Sequence, residues 1–172
     1  MKYNEFLETK RKTFIESGFE IEESKLNKNL FDFQKFAVKT ALSKGRFALF
    51  FDCGLGKTLM QLSWSEAVFK KTKKKVLILA PLAVVEQTKD ESIKFGISHN
   101  CFDITNYDQL KNIDCSIYSG VVLDESSILK GRDGKLSNLI IDSFKSTPYK
   151  LACTATPSPN DHMELGQHSE FL

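Results

Sequence analysis

The most constraining stretch of the 172-residue sequence is Phe47–Thr58, Phe-Ala-Leu-Phe-Phe-Asp-Cys-Gly-Leu-Gly-Lys-Thr. A short apolar run breaks into two glycines, a lysine and a threonine, and a helix-like pattern follows. This is the layout of a buried parallel strand (Phe47–Phe51), a phosphate loop and a helix N-terminus. Gly54, Leu55 and Gly56 form the loop, and the two glycines let backbone N–H groups approach an anion. Lys57 is placed to reach outer phosphates, and the Thr58 hydroxyl to bind Mg²⁺. The full loop pattern has a glycine where Phe51 stands. Taken alone, these residues also describe a glycine turn before a helix with a chance lysine.

Composition narrows the class. The chain is 41% hydrophobic and 27% charged, enough for one globular domain with a proper core. No apolar run approaches the roughly 20 residues of a membrane span. The N-terminus is polar and charged, unlike a signal peptide, so a cytoplasmic protein is expected (in the host cytoplasm if viral). Cys53, Cys101, Cys115 and Cys153 form no Cys-x-x-Cys pair and read as reduced, mostly buried thiols. His99, His162 and His168 do not pair with them at metal-ligand spacing. A net charge of +2 permits a nucleic-acid partner without demanding one.

Around the loop, strands and helices alternate. Residues Met1–Asn29 read as an N-terminal accessory segment; Phe6, Leu7, Phe14 and Ile15 line one loose helical face. Leu30–Leu42 repeats Phe33, Ala37 and Ala41 at helical spacing, with Gly45 as a stop. Gln34 lies near its start, and a glutamine amide can read an adenine edge bidentately. A plain surface glutamine fits the segment as well. Lys57–Lys70 is the helix after the loop. Lys70, Lys71 and Lys73–Lys75 at its end suit a helix C-terminus or a nucleic-acid patch. Val76–Ala80 is a second apolar strand, ended by Pro81, with a helix over Leu82–Phe95. Cys101–Thr105 is a weak third strand.

Tyr118–Asp124 is a stronger strand ending in Asp124-Glu125-Ser126-Ser127. Carboxylates at the carboxyl end of a buried strand are expensive unless used, and that edge of a parallel sheet is where ligands bind. Asp124 suits a Mg²⁺ shell and Glu125 suits activation of a water; a helix N-terminus carrying two acidic residues is the alternative. An amphipathic helix over Leu136–Phe144 and a last strand over Tyr149–Ala155 lead into Thr154-Ala155-Thr156-Pro157. The alternation predicts an α/β fold, a mostly parallel sheet flanked by helices.

In succession, the glutamine helix, Gly-Leu-Gly-Lys-Thr, Leu-Ala-Pro-Leu, Asp-Glu and Thr-Ala-Thr-Pro resemble the first RecA-like P-loop NTPase domain of superfamily 2 helicases and translocases. More narrowly, the chain resembles the Swi/Snf-type branch with its phage-like DEAD/DEAH-box members. Phe33-Gln34 resembles the adenine-reading motif, and Asp52–Thr58 the Asp-x-Gly-Leu-Gly-Lys-Thr loop. Ala80-Pro81-Leu82 and Thr105-Asn106-Tyr107 resemble motifs that touch a nucleic-acid backbone. Asp124-Glu125 matches the Mg²⁺ and base pair, followed by Leu129-Lys130. Thr154-Ala155-Thr156-Pro157, with Asn160, Glu164 and Leu165, resembles the coupling motif and its continuation.

The resemblance spans Leu30–Leu172 and implies residues 30–172 as the first RecA-like domain, without the second. It implies ATP and Mg²⁺ as cofactors. Gln34, Gly54, Leu55, Gly56, Lys57 and Thr58 would bind ATP, Thr58 and Asp124 the metal. Lys57 and Glu125 would be catalytic, and Thr154 and Thr156 would couple nucleotide state to movement. Pro81, Leu82, Thr105, Asn106 and Tyr107 would meet nucleic acid, with double-stranded DNA favoured. A second RecA-like domain, in cis or in trans, would supply arginine fingers, for which Arg132 lies at the wrong place. Ser126-Ser127 departs from the commoner Ala-His or Ala-Asp and fits the phage-type subgroup. A stand-alone nucleotide- or nucleic-acid-binding module, and a small-molecule kinase, are the other classes open to the sequence.

Overall fold

The structure is a computed structural model, and it describes residues 17–129, 134–158 and 165–172. Five strands form one sheet: β1 (Arg46–Phe50), β2 (Val76–Ala80), β3 (Phe102–Asn106), β4 (Gly120–Asp124) and β5 (Tyr149–Thr154). Their spatial order is β1-β5-β4-β2-β3, and every pairing is parallel. The described α-helices are α1 (Asp32–Lys44), α2 (Lys57–Thr72), α3 (Val85–Lys94), α4 (Lys135–Ser143) and α5 (Leu165–Phe171). This is the α/β architecture, a parallel sheet flanked by helices, that the alternation predicts, and it is the arrangement that the RecA-like resemblance implies.

Continuous apolar strands make sense only if both faces are covered. Successive residues point to opposite faces. Val76, Ile78, Val122, Leu151 and Cys153 join Val38, Leu42, Met60 and Trp64 of α1 and α2 in one core layer. Leu77, Leu79, Val121, Leu123 and Ala152 join Ile140, Phe144, Phe171, Tyr107 and Leu110 in the other. Helix α2 buries nine residues, from Leu59 to Val68, so it is enclosed on nearly all sides.

Local chemistry sets the element ends. Gly45 stops α1 at φ 75°, a conformation that an L side chain adopts at a cost. The expected helix over Leu82–Phe95 divides: the Val84 N–H closes a 3₁₀ turn onto the Pro81 carbonyl at 3.0 Å, and α3 begins at Val85. Strand β4 begins at Gly120 rather than Tyr118, whose hydroxyl instead donates to Asp103 at 2.9 Å. Helix α5 has no counterpart in the expected pattern, because burial of Phe171 and His168, not local periodicity, holds it.

Part of the stretch before Leu30 packs into the same core. Leu26 and Leu30 are buried in it, Phe19 and Ile21 pack against it, and the Phe19 N–H donates to the Leu42 carbonyl at 2.9 Å. Phe6, Leu7, Phe14, Ile15, Lys130, Arg132, Asn160 and Glu164 lie outside the described residues. Cys101 and Cys153 are buried, Cys115 is half-buried and Cys53 is exposed in the loop. No helix among the described residues is long and apolar enough to cross a membrane.

Candidate active site

Because all five strands are parallel, their carboxyl ends share one edge. The loop Phe51–Gly56 follows β1, Asp124-Glu125 ends β4, and Thr154–Thr156 ends β5. The connection from β1 through α2 to β2 passes over β5 and β4. Ligands of open parallel sheets bind at such an edge.

The loop is built on backbone. Gly54 and Gly56 have φ of 79° and 75°, and Gly56 caps α2 in the left-handed conformation. A side chain on Gly54 would meet nothing, so its need is conformational; a Cβ on Gly56 would overlap the Gln34 amide. Gln34 is only 3% exposed. Its Oε1 accepts from the Phe31 N–H at 2.9 Å, capping α1, and its Nε2 donates to the Leu55 carbonyl at 2.9 Å. The glutamine therefore straps the loop to α1. The Lys57 ammonium donates to the Phe51 and Asp52 carbonyls at 2.9 and 3.1 Å. A bound phosphate would compete for that ammonium. Thr58 is half-buried on the first turn of α2.

Across β5 lies the acidic pair. Asp124 Oδ1 accepts from Gln61 Nε2 at 2.7 Å. Burial pushes the Asp124 carboxyl above its usual range, and the neighbouring Glu125 charge pushes the same way. The Gln61 amide and the Lys57 charge oppose the shift. Glu125 has φ 58°, one of two non-glycine residues with positive φ among those described. Such a conformation is costly for an L residue and persists only where its surroundings fix it. Here they do: Glu125 Oε1 accepts from the hydroxyls of Ser127 and Thr154, each at 2.6 Å. The Thr156 N–H in turn donates to Thr154 Oγ1 at 3.0 Å. The structure thus joins Thr154 and Thr156 to Glu125 in one chain of hydrogen bonds.

The residues expected to meet nucleic acid divide. Leu82 is 72% exposed, and Pro81, Thr105 and Asn106 are half-exposed. Asn106 Oδ1 caps the following turn by accepting the Gln109 N–H at 3.2 Å. Tyr107 turns inward: it is 4% exposed and its hydroxyl donates to the Asp124 carbonyl at 2.6 Å. Burial holds its phenol well above the usual value, so it stays a donor.

Gln61 and Ser127 were not singled out from sequence. Gln61 stands four residues after Lys57, hence on the same helix face, a spacing that marks it once the loop is recognised. Ser127 gave no signal beyond its departure from the commoner motif. Ser126 shares a 3.0 Å hydrogen bond with His168 of α5, tying that helix to the segment after the acidic pair.

The chain matches the family model described as Type III restriction enzyme, res subunit, over residues 27–138. It belongs to that family. This places it in the helicase-like ATPase domain family, as an N-terminal RecA-like domain of the superfamily 2 helicase type. Among solved structures, the Sulfolobus solfataricus SWI2/SNF2 ATPase core in complex with dsDNA is similar at TM-score 0.76 and 21% identity, over 88% of this chain and 37% of that one. The UvsW helicase from bacteriophage T4 is similar at TM-score 0.68 and 18% identity, over 98% of this chain and 65% of that one. At these identities the likeness is one of fold, and the chain spans less than two thirds of the length of either. No curated protein matches the sequence.

The family implies ATP and usually a divalent metal, and the site has the chemistry for both. The loop offers two positive-φ glycines, clear space beside Gly54 and a lysine facing inward. The Thr58 hydroxyl and the desolvated Asp124 carboxylate are hard oxygen donors of the kind Mg²⁺ uses beside phosphates and water.

Proposed function

We propose that this domain binds Mg²⁺–ATP at the strand-end edge and hydrolyses it in a nucleic-acid-dependent cycle once a second RecA-like domain completes the site. In this reading residues 30–172 form the motor's first half, and double-stranded DNA is the favoured substrate. The observation that carries it is the Glu125 carboxylate. One oxygen is fixed by two hydroxyls, while Oε2 has no hydrogen-bond partner among the described residues. A fixed carboxylate with one open oxygen at the end of a parallel strand is suited to orient and deprotonate a water.

The other roles follow from position. Backbone N–H groups of Gly54, Leu55 and Gly56 cradle phosphate, and Lys57 neutralises it. Gln34, with its amide oxygen and nitrogen engaged by Phe31 and Leu55, sets the loop that receives the nucleotide. Thr58 and Asp124 hold the metal, which would screen the phosphate charge. Thr154 and Thr156 tie the base to the segment after β5. Pro81, Leu82, Thr105 and Asn106 present the exposed strand ends to a nucleic-acid backbone.

Arginine fingers contribute roughly 10³–10⁵ in related phosphoryl transfers. The chain alone should therefore bind nucleotide yet turn it over slowly. ATP turnover with and without duplex DNA, alone and with a second RecA-like domain supplied, tests this. DNA-stimulated turnover only in the completed protein supports a motor half. Full activity of the chain alone, indifferent to DNA, defeats it in favour of a self-contained phosphate-loop enzyme.

A further inference from the structure

Tyr107 follows the two half-exposed residues at the end of β3, yet its hydroxyl lies at the end of β4. Strand β2 runs between those two strands. The side chain therefore crosses the end of β2, which carries Pro81 and Leu82. Its ring is packed in the core layer with Leu77, Leu79 and Leu123, so the crossing is rigid.

The carbonyl it reaches belongs to the peptide between Asp124 and Glu125. That peptide carries the residue with φ 58°. At 2.6 Å the bond is short for a neutral hydroxyl on a carbonyl. A left-handed glutamate needs its flanking peptide held. From one side the Ser127 and Thr154 hydroxyls hold the carboxylate. From the other, Tyr107 holds the main chain.

We propose that Tyr107 is a positioning residue that carries nucleic-acid binding at the ends of β2 and β3 to the Asp124–Glu125 peptide, and so sets the orientation of Glu125. This rests on the nucleotide and nucleic-acid reading of the strand ends. A nucleic-acid backbone that shifts Thr105-Asn106 shifts the next residue, and the tyrosine hydroxyl moves on the peptide. Two ligands that bias one such element must influence each other's affinity by the same factor.

The test measures duplex-DNA affinity of the 172-residue chain with and without a non-hydrolysable ATP analogue and Mg²⁺, for wild type and Tyr107→Phe. Tyr107→Phe keeps the buried ring and removes only the donor. Wild type should show a coupling of roughly 5-fold or more, within the usual allosteric range. In Tyr107→Phe each ligand alone should bind within about threefold of wild type, and the coupling should fall close to one. An unchanged coupling in a folded variant overturns the inference and leaves the nucleotide site standing. Absence of coupling in wild type overturns it too. Failure of wild type to bind the analogue overturns the nucleotide reading itself. A second measurement does not depend on the variant folding. The Glu125 amide resonance, on the same peptide, should move when duplex DNA is added, and a stationary resonance overturns the inference.

Discussion

Two desolvated charges, half-buried Asp124 and buried Lys150, sit at opposite ends of neighbouring strands and are managed differently. Asp124 ends β4 at the site edge, where a neutral amide, Gln61, faces its carboxylate. Lys150 lies near the start of β5, 3% exposed, with its ammonium on the Phe171 carbonyl at 2.7 Å and over the Phe171 ring at 5.2 Å. Burial displaces both toward neutrality: Asp124 upward, and Lys150 down to about 8, with the nearby Arg46 charge adding to the latter. Lys150 terminates α5, where a cation suits the last carbonyls of a helix. The Asp124 carboxylate has no such capping role. Its charge is matched only in part by protein groups, which leaves it suited to a metal, whereas Lys150 has a structural duty already filled.

The contrast breaks most sharply at the groups around Asp124. Glu125→Gln keeps the shape and hydrogen-bonding capacity of the side chain but not its basicity. Nucleotide affinity should stay within about twofold, and turnover in the completed protein should fall by roughly 10²–10⁴. Single-turnover hydrolysis measures this, and normal turnover removes Glu125 from the base role. Lys57→Ala comes next. It deletes the ammonium that now rests on the Phe51 and Asp52 carbonyls. A charged hydrogen bond is worth about 1.5–3 kcal/mol, so ATP should bind roughly 10- to 100-fold more weakly by calorimetry. Unchanged affinity would sink the phosphate-loop assignment.

Lys150 supplies a test in which the sign can be worked out. The ammonium loses its proton in the folded state near pH 8, and in the unfolded chain near 10.4. Between those values the unfolded chain binds more protons, so this group makes stability rise with pH. The raised thiols of Cys101 and Cys115 push the other way over part of the range, so a variant is needed to isolate the lysine. The stability of wild type minus that of Lys150→Met should increase from pH 8 to 10 by on the order of 2 kcal/mol. Denaturant titrations at several pH values check it, and a flat difference means the ammonium is well solvated.

The two regions also differ in how far the sequence exposes them. The loop was legible because its chemistry is local: Gly54, Gly56, Lys57 and Thr58 lie within five residues, and backbone conformation does the rest. The strands were legible for the same reason, since runs such as Val76–Ala80 are buried on both faces. The surroundings of the acidic pair were not. Gln61 is 63 positions from Asp124, Thr154 is 29 from Glu125, and Tyr107 is 17 from Asp124. Only the sheet order brings them together. Resemblance named Thr154 and Tyr107 as motif residues, but not the inward turn of Tyr107. Helix α5 escaped because seven residues carry too little periodicity, and Lys150 and Phe171 make sense only as a pair.

The smallest effect concerns Asp124 itself. Its carboxyl is held above the ordinary value by burial. A group raised by folding contributes stability that is full below the unfolded value, near 3.9, and is lost as pH rises through the folded value. Above that unfolded value the metal-free domain therefore carries the cost of desolvating Asp124, a cost that Mg²⁺–nucleotide binding would remove. Asp124→Asn keeps the shape, and its Oδ1 can still accept from Gln61. The metal-free variant should be more stable than wild type at pH 7 by about 1 kcal/mol, a few degrees in thermal unfolding. It should also lose the extra stabilisation that Mg²⁺ adds to nucleotide. Lys150→Met should leave that Mg²⁺ increment intact. If Asp124→Asn destabilises the metal-free domain instead, the carboxylate has a structural duty like that of Lys150, and the distinction between the two ends of the sheet fails.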